Sequence, residues 1–178
     1  MELIEKLVES EIVFDGHLLH IHSDTVLLPD GNEAKREWFE HRGASVVVAF
    51  DDDGKLIVVR QYRHPLGRTT IELPAGKIDK GETPKECALR ELSEETGLTA
   101  SKLTEIAQLA PAAAYTSEIL YIYLAEGLSK RELSPDEDEL VLVEKWDLND
   151  VLAAIDKNEI IDAKTQIGVL RYLRFRDR

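Results

Sequence analysis

The 178-residue sequence predicts an α/β fold, with a mixed β-sheet sandwiched between helices in an α/β/α arrangement and an additional antiparallel sheet at the amino terminus. Three observations support this prediction. Short apolar segments with the composition of β-strands recur along most of the chain. A segment in the middle carries both a start and a stop signal of a helix. The carboxy-terminal segment shows the apolar periodicity of two further helices.

The amino-terminal region consists of short strands separated by turns. Residues 11–28 predict two strands joined by an Asp-Gly turn, and residues 34–40 predict a third strand. We therefore expect residues 1–40 to form a separate antiparallel sheet and residues 41–178 to form the main domain.

Three histidines lie in this amino-terminal region, namely His17, His20 and His22. His20 and His22 share one face of a predicted strand, which suggests a metal site. No acidic or cysteine residue stands at the spacing of a further ligand. We therefore interpret the histidines as surface or dimer-contact residues.

The main domain begins with two β-branched segments, 43–50 and 55–63, that flank the sequence Asp-Asp-Asp-Gly. This pattern predicts a hairpin of two buried strands. Further strands are predicted at 103–109, 118–125 and 140–146, and helices at about 148–157 and 162–175.

A helix is predicted over residues 84–96 because both of its ends are marked. Thr83 is an N-cap residue, Pro84 stands at the first helical position, and Glu86 completes a capping box. Gly97 stands where a left-handed residue ends a helix.

The predicted helix carries three carboxylates close together. Glu91 and Glu95 lie one turn apart on one face, with Glu94 beside them. Like charges at this spacing repel each other, so a counter-charge is expected. Arg90 can neutralise one carboxylate, and Mg²⁺ or Mn²⁺ would suit the oxygen ligands that remain. The alternative is an ordinary solvated helix face.

Residues 76–98, GKIDKGETPKECALRELSEETGL, follow the spacing G-x5-E-x7-R-E-U-x-E-E-x-G-U, in which U is aliphatic. This pattern resembles the Nudix box of hydrolases that cleave nucleoside diphosphates linked to another moiety. The resemblance implies the Nudix α/β/α fold. Residues with a structural role in such a box would be Gly76, Glu82, Arg90 and Gly97.

The segment VRQYRHPLGRTTIELPAGKID is similar to one in ADP-ribose pyrophosphatases and related nucleoside diphosphate sugar hydrolases. The resemblance implies that the Ala75 carbonyl, Glu91 and Glu95 hold Mg²⁺, with Mn²⁺ as a substitute. Glu94 would bind metal or position water. The general base would be Glu137, or in second place Glu139, in the acidic segment SPDEDE; the alternative is that this segment is an ordinary solvated acidic turn.

The same resemblance implies residues that contact substrate. Arg63 matches an arginine that contacts the diphosphate, and the acid Glu118 follows a proline-containing loop. Trp38, preceded by Arg36, matches an aromatic residue that stacks on the nucleobase; a dimer contact is the alternative. Leu18 stands near the place of a second aromatic residue, so preference for adenine stays open.

The expected activity is Mg²⁺-dependent hydrolysis of the diphosphate bond in ADP-ribose or a related nucleoside diphosphate sugar. The alternatives are GDP-mannose, a broad range of sugar nucleotides, and a non-catalytic domain that senses nucleotide sugars. The resemblance also implies a homodimer in which the amino-terminal sheets embrace the partner subunit.

Composition limits the other classes of partner. The formal charge of −13 disfavours a nucleic-acid binder. No apolar segment is long enough to span a membrane, and no signal peptide is recognisable, so no membrane partner is expected. The single cysteine, Cys87, fits the reducing cytoplasm and is expected to pack rather than react.

Overall fold

The computed structural model describes residues 2–131 and 140–177, which contain ten strands and three α-helices. The strands are β1 (Lys6–Asp15), β2 (His20–Leu27), β3 (Glu33–Phe39), β4 (Ala44–Ala49), β5 (Leu56–Arg63), β6 (Arg68–Glu72), β7 (Ala75–Lys77), β8 (Leu98–Leu109), β9 (Leu120–Lys130) and β10 (Val141–Trp146). The helices are α1 (Pro84–Thr96), α2 (Leu148–Asp156) and α3 (Ala163–Arg176).

The strands form three sheets. An antiparallel sheet has the order β1-β2-β3, and a second antiparallel sheet has the order β10-β5-β6. The third sheet is mixed, with the order β7-β4-β9-β8, because β4 runs parallel to β9 and antiparallel to β7. The chain divides into two compact units: residues up to 42 with Ala110–Ile119, and Gly43–Leu109 with residues from 120 onward.

Strand β4 lies at the centre of the larger unit and is buried on both faces. Val46 and Val48 belong to a core cluster that includes residues of α2 and α3. Val47 and Ala49 alternate with them and belong to a cluster that includes Leu92 of α1. Because side chains of a strand point alternately to its two faces, this distribution places helices on both sides of the sheet. The predicted α/β/α arrangement is confirmed.

The predicted hairpin over 43–50 and 55–63 is wrong. The turn between the strands does form, since the amide of Asp51 donates to the carbonyl of Lys55 at 3.0 Å and a bridge joins Phe50 to Leu56. Beyond this bridge the strands separate, and β4 joins the mixed sheet whereas β5 pairs with β6 and β10. Apolar patterns show that both strands are buried, but they do not determine which strand is the partner.

The amino-terminal sheet has a long edge strand, β1, that no other described segment covers. All ten residues of β1 are exposed, and among residues 2–131 and 140–177 it pairs only with β2. Its exposed side chains include the apolar Leu7, Ile12 and Phe14. A long apolar edge strand is a surface on which another chain can pair or pack.

The two carboxy-terminal helices form as predicted and pack on the larger core. Val151 and Ala154 of α2 are buried, and Asp162 caps α3 by accepting a hydrogen bond from the amide of Thr165 at 2.9 Å. Trp146 at the end of β10 also packs against this core. Within 2–131 and 140–177, no helix combines the length and apolar character needed to cross a membrane.

Candidate active site

Helix α1 begins and ends where its sequence signals predict. The hydroxyl of Thr83 accepts from the amide of Glu86 at 3.3 Å, and the Glu86 carboxylate accepts from the amide of Thr83 at 2.9 Å. Gly97 has φ of +68°, and its amide donates to the carbonyl of Ser93 at 2.9 Å. These caps fix the first and last residues of the helix.

Two carboxylates of α1 are buried against strand β7. Glu91 and Glu95 are each only 8% exposed, and Glu95 Oε2 accepts from the amide of Ala75 at 3.0 Å. A Cβ atom added to Gly76 would lie 2.0 Å from Glu91 Oε1. Strand β7 can therefore approach the helix this closely only because residue 76 has no side chain.

Arg90 holds this group of carboxylates together. Its Nη1 donates to Glu91 at 2.7 Å and to Glu94 at 2.8 Å. Its Nε donates to Glu82 at 2.8 Å, and Nη2 donates to the same carboxylate at 3.0 Å and to the carbonyl of Lys77 at 2.9 Å. One guanidinium thus partly offsets three carboxylates and ties the helix to β7.

The hydrogen bonds of Arg90 stabilise the charged forms on both sides. The pKa of Arg90 is raised, chiefly by its hydrogen bond to Glu82. The pKa of Glu82 is lowered, chiefly by the same hydrogen bond and also by the amide of Asp79, which donates at 3.0 Å. Both groups therefore stay ionised near neutral pH.

Comparison with known proteins relates this arrangement to a family. The NUDIX domain family matches residues 39–165, and the nucleoside diphosphate sugar hydrolase N-terminal domain matches residues 5–39. The chain belongs to the Nudix hydrolase family. An ADP-ribose pyrophosphatase of Bacillus subtilis (strain 168) is 45% identical, over 98% of this chain and 95% of that protein.

Two further similarities extend over nearly the whole chain. A methanol dehydrogenase activator of Bacillus methanolicus is 39% identical, over 97% of this chain and 94% of its own length. The crystal structure of an ADP compounds hydrolase superposes with a TM-score of 0.87 at 25% identity, covering 98% of this chain and 96% of the other. The predicted Nudix fold is thereby confirmed.

The Nudix box supplies ligands that fit a hard divalent cation. Glu91, Glu94 and Glu95 provide carboxylate oxygens, which can act as metal ligands, on one helix. Glu95 also contacts the backbone of Ala75. Among the described residues, no three His, Cys, Asp or Glu side chains already form a metal cage. Carboxylate and carbonyl oxygens are the ligands that hard divalent cations prefer.

Cys87 lies in the same helix but has the properties of a packing residue. It is fully buried, and its thiol donates to the carbonyls of Gly76 and Lys77, each at 3.4 Å. Burial raises the pKa of this thiol to about 11. The thiolate needed for nucleophilic chemistry is therefore scarce at neutral pH.

Arg63 forms an ion pair that its sequence did not predict. Its Nε and Nη2 each donate to the carboxylate of Glu72 at 2.7 Å. Glu72 also accepts from the Thr70 hydroxyl at 2.5 Å and from the ammonium of Lys164. Burial would raise the pKa of Glu72, but the hydrogen bonds from Arg63 and the charge of Lys164 hold it at about 2.

The ion cluster formed by Arg63, Glu72 and Lys164 lines a pocket of about 450 Å³ in the larger unit. Lys164 also lies 3.1 Å from Asp162, whose carboxylate caps α3. Glu72 and Lys164 are 92 positions apart in the sequence, so periodicity could not bring them together. The local signal in the sequence was a charged residue, Glu72, between the apolar residues Ile71 and Leu73.

Trp38 lies in the amino-terminal unit, where its ring is held on two sides. It stacks on His22 with ring centroids 4.5 Å apart, and its Nε1 donates to Asp24 at 2.7 Å. The register of β2 and β3 places His22 directly opposite Trp38. His20, in contrast, pairs with the exposed Asp15 at 2.5 Å.

The other predicted substrate residues of this unit also have partners. Arg36 donates to the carboxylate of Glu5 at 2.5 and 3.0 Å. Glu118 lies 3.8 Å from the Nδ1 atom of His41. Glu137 and Glu139, the predicted general bases, lie outside the described residues.

Proposed function

We propose that this protein hydrolyses the diphosphate bond of ADP-ribose or a related nucleoside diphosphate sugar, releasing a nucleoside monophosphate and a sugar phosphate. The observation that carries the proposal is the burial of Glu91 and Glu95 against β7, in a chain similar along its length to an ADP-ribose pyrophosphatase. Burying two carboxylates side by side costs stability, which favours a role that requires them.

The residues proposed to hold Mg²⁺, with Mn²⁺ as a substitute, are Glu91, Glu95 and the main-chain carbonyl of Ala75. Glu94 would contact the ion or a bound water. When bound, the ion polarises the phosphorus, lowers the pKa of a water and neutralises the departing phosphate. Arg90 would keep these carboxylates oriented, because it already contacts Glu91 and Glu94.

The remaining roles belong to residues that bind the substrate or move a proton. Arg63 would contact the diphosphate through its guanidinium, which Glu72 fixes with two parallel hydrogen bonds. Glu137, or else Glu139, would take the proton of the attacking water.

The nucleotide would be recognised by residues of the amino-terminal unit. Trp38 would stack on the base, and its contact with His22 fixes the plane of its ring. Arg36 and Glu118 would contact the rest of the nucleotide. We assign base binding and dimerisation to residues 1–40, and hydrolysis to residues 41–178.

A homodimer with exchanged amino-terminal sheets is proposed as the active form. Strand β1 is an exposed edge with apolar side chains, including Ile12 at 55% exposure. His22 Nε2 is buried without a hydrogen-bond partner among the described residues, and a second subunit could supply one. Light scattering should give a dimer for the native chain and a monomer for Ile12→Lys; a monomeric native chain would contradict this proposal.

Two other activities are alternatives to this proposal. GDP-mannose or a broad set of sugar nucleotides would use the same carboxylates, because the chemistry concerns only the diphosphate. Activation of a methanol dehydrogenase is the second candidate, favoured by the similarity to such an activator. It is tested by adding this protein to methanol dehydrogenase and measuring methanol oxidation.

We place the protein in the cytoplasm, consistent with its single buried thiol.

The experiment that tests the proposed activity is hydrolysis of a substrate panel. ADP-ribose, ADP-glucose, GDP-mannose and a diadenosine polyphosphate are each incubated with Mg²⁺ or with EDTA, and phosphatase-labile phosphate is measured. We expect Mg²⁺-dependent turnover with ADP-ribose as the best substrate. Turnover led by GDP-mannose would select the alternative specificity, and tight binding without turnover would indicate a sensor.

A further inference from the structure

The pocket beside Arg63 combines paired charges with an apolar rim. Its floor contains Glu72 and Lys164, and Pro65, Leu66 and Ile161 contribute apolar surface. Leu66 is 54% exposed and Ile161 is 39% exposed, so both side chains are accessible to a ligand. Its volume of about 450 Å³ lies in the range of small-molecule sites.

The hydrogen-bond acceptor sites of the Glu72 carboxylate are all engaged by protein groups, so Glu72 serves to position those groups. It is 2% exposed, and its two oxygens accept from Arg63, Thr70 and Lys164. Four such bonds use the acceptor capacity of a carboxylate. The buried charge therefore holds Arg63 and Lys164 in place at the pocket.

Lys164 and Asp162 present a donor next to an acceptor. The Lys164 ammonium has three N–H donors, of which Glu72 and Asp162 engage two within the described residues. Asp162 Oδ1 lies 3.1 Å from that nitrogen, while Oδ2 accepts from Thr165. Neighbouring hydroxyls of a sugar, each of which both donates and accepts, match this pair.

The charge balance favours a neutral ligand group over a phosphate. Arg63 and Lys164 contribute two positive charges, and Glu72 and Asp162 contribute two negative charges. A second phosphate dianion would meet the Asp162 carboxylate as well as the cations. Hydroxyl groups avoid this repulsion, and the apolar rim suits the C–H face of a sugar ring.

The pocket is close to the predicted reaction centre along the chain. Glu72 ends β6, and Ala75, which contacts Glu95, begins β7 three residues later. Three residues span at most about 11 Å between Cα atoms. A diphosphate held at Glu91 and Glu95 could therefore direct its attached sugar into the pocket.

We propose that this pocket binds the non-nucleoside sugar of the substrate, with Lys164 and Asp162 contacting its hydroxyls and Glu72 positioning Lys164 and Arg63. This inference rests on the proposed function, because it assigns the sugar-binding part of the same substrate. It makes Lys164 and Asp162 determinants of specificity for the sugar.

The test compares two substrates that differ only in the sugar. ADP-ribose is compared with the P²-methyl ester of ADP, which keeps the diphosphate bond and replaces ribose by methyl. Ala163→Trp adds a bulky ring to the pocket lining without removing a charge, and Lys164→Met removes the proposed hydroxyl-binding group. Leu170→Trp adds the same ring at an exposed position of α3 outside the pocket and serves as the control.

We expect Ala163→Trp and Lys164→Met to lower kcat/KM for ADP-ribose at least about tenfold, mainly through KM. For the methyl ester, kcat/KM of these two variants should change less than about twofold. With Leu170→Trp, kcat/KM should change less than about twofold for both substrates. Equal losses on both substrates would overturn the proposal, because the pocket would then act on the diphosphate or on folding. Unchanged values would also overturn it.

A binding measurement separates this inference from the proposed activity. Ribose 5-phosphate and inorganic phosphate are titrated into the metal-free protein by calorimetry. Binding of ribose 5-phosphate that is weakened by Ala163→Trp supports the pocket even if no substrate is hydrolysed. Equal binding of both compounds would indicate a phosphate site, and absence of ribose 5-phosphate binding would overturn the proposal.

Discussion

Substitution of Gly76 by alanine is expected to separate activity from folding. The added Cβ atom would lie 2.0 Å from Glu91 Oε1 and 2.2 Å from its Cδ atom. Ordinary van der Waals contact begins near 3.4 Å, so the carboxylate must move by about 1.4 Å, the difference between the two distances. Gly76 does not have a positive φ, so the backbone itself can accept alanine.

The displaced group is the far end of a flexible side chain, so the fold should tolerate the change. A rotamer strain of about 0.5–1.5 kcal/mol is partly offset by the lower entropy of the unfolded chain, about 0.4–1 kcal/mol. The free energy of unfolding should therefore change by less than about 1 kcal/mol. Because Glu91 is proposed to hold the metal ion, moving its carboxylate by more than 1 Å should lower kcat about a hundredfold.

The assay is ADP-ribose hydrolysis at several Mg²⁺ concentrations, together with chemical denaturation of the same preparation. Gly168→Ala serves as the control, because its added Cβ atom would instead meet Leu73 Cδ1 in the core at 2.5 Å. That variant should change stability and keep kcat. Near-normal kcat for Gly76→Ala, with intact folding, would refute the role assigned to Glu91.

Three further predictions concern the helix cap, the buried carboxylate and the thiol. Thr83→Ala should lower the free energy of unfolding by about 1 kcal/mol in urea denaturation, because the α1 cap is lost. Glu72 has a pKa of about 2 in the fold against 4.5 ordinarily, so its stabilisation is complete above pH 4.5 and disappears as the pH falls toward 2. Between pH 4.5 and pH 2 the free energy of unfolding of the native protein should fall by on the order of 3 kcal/mol more than that of Glu72→Gln. Equal decreases would contradict the stabilising role of the ion pairs of Glu72. Cys87 should react with a disulfide reagent at about pH 8 only after unfolding, because burial raises its pKa to about 11; rapid labelling of the native protein would contradict this.

The helix of the Nudix box could be predicted almost to the residue because its determinants are local. Thr83, Glu86 and Gly97 act within a few positions of the backbone groups that they cap. The spacing of Glu91 and Glu95 likewise follows from the helical repeat. Their burial against β7, however, depends on the tertiary fold.

Features that depend on distant residues could not be predicted in the same way. The hairpin of β4 and β5 was a local interpretation, but β4 instead pairs in parallel with β9, more than seventy positions later in the sequence. The contacts of Glu72 with Lys164 and of His22 with Trp38 arise from packing and strand register. The composition of a strand indicates that it is buried, but the strand with which it pairs depends on the whole fold.

The most direct test of the central claim is Mg²⁺-dependent hydrolysis of ADP-ribose by the native protein, Glu95→Gln and Glu126→Gln. Glu126 is a surface residue paired with Lys102, so its substitution controls for loss of one carboxylate. We predict that the native protein and Glu126→Gln are active and that EDTA abolishes their turnover. Glu95→Gln should be slower by about 10²–10³-fold. Near-native turnover of Glu95→Gln at saturating Mg²⁺ would contradict the assignment of the Nudix-box carboxylates as the reaction centre.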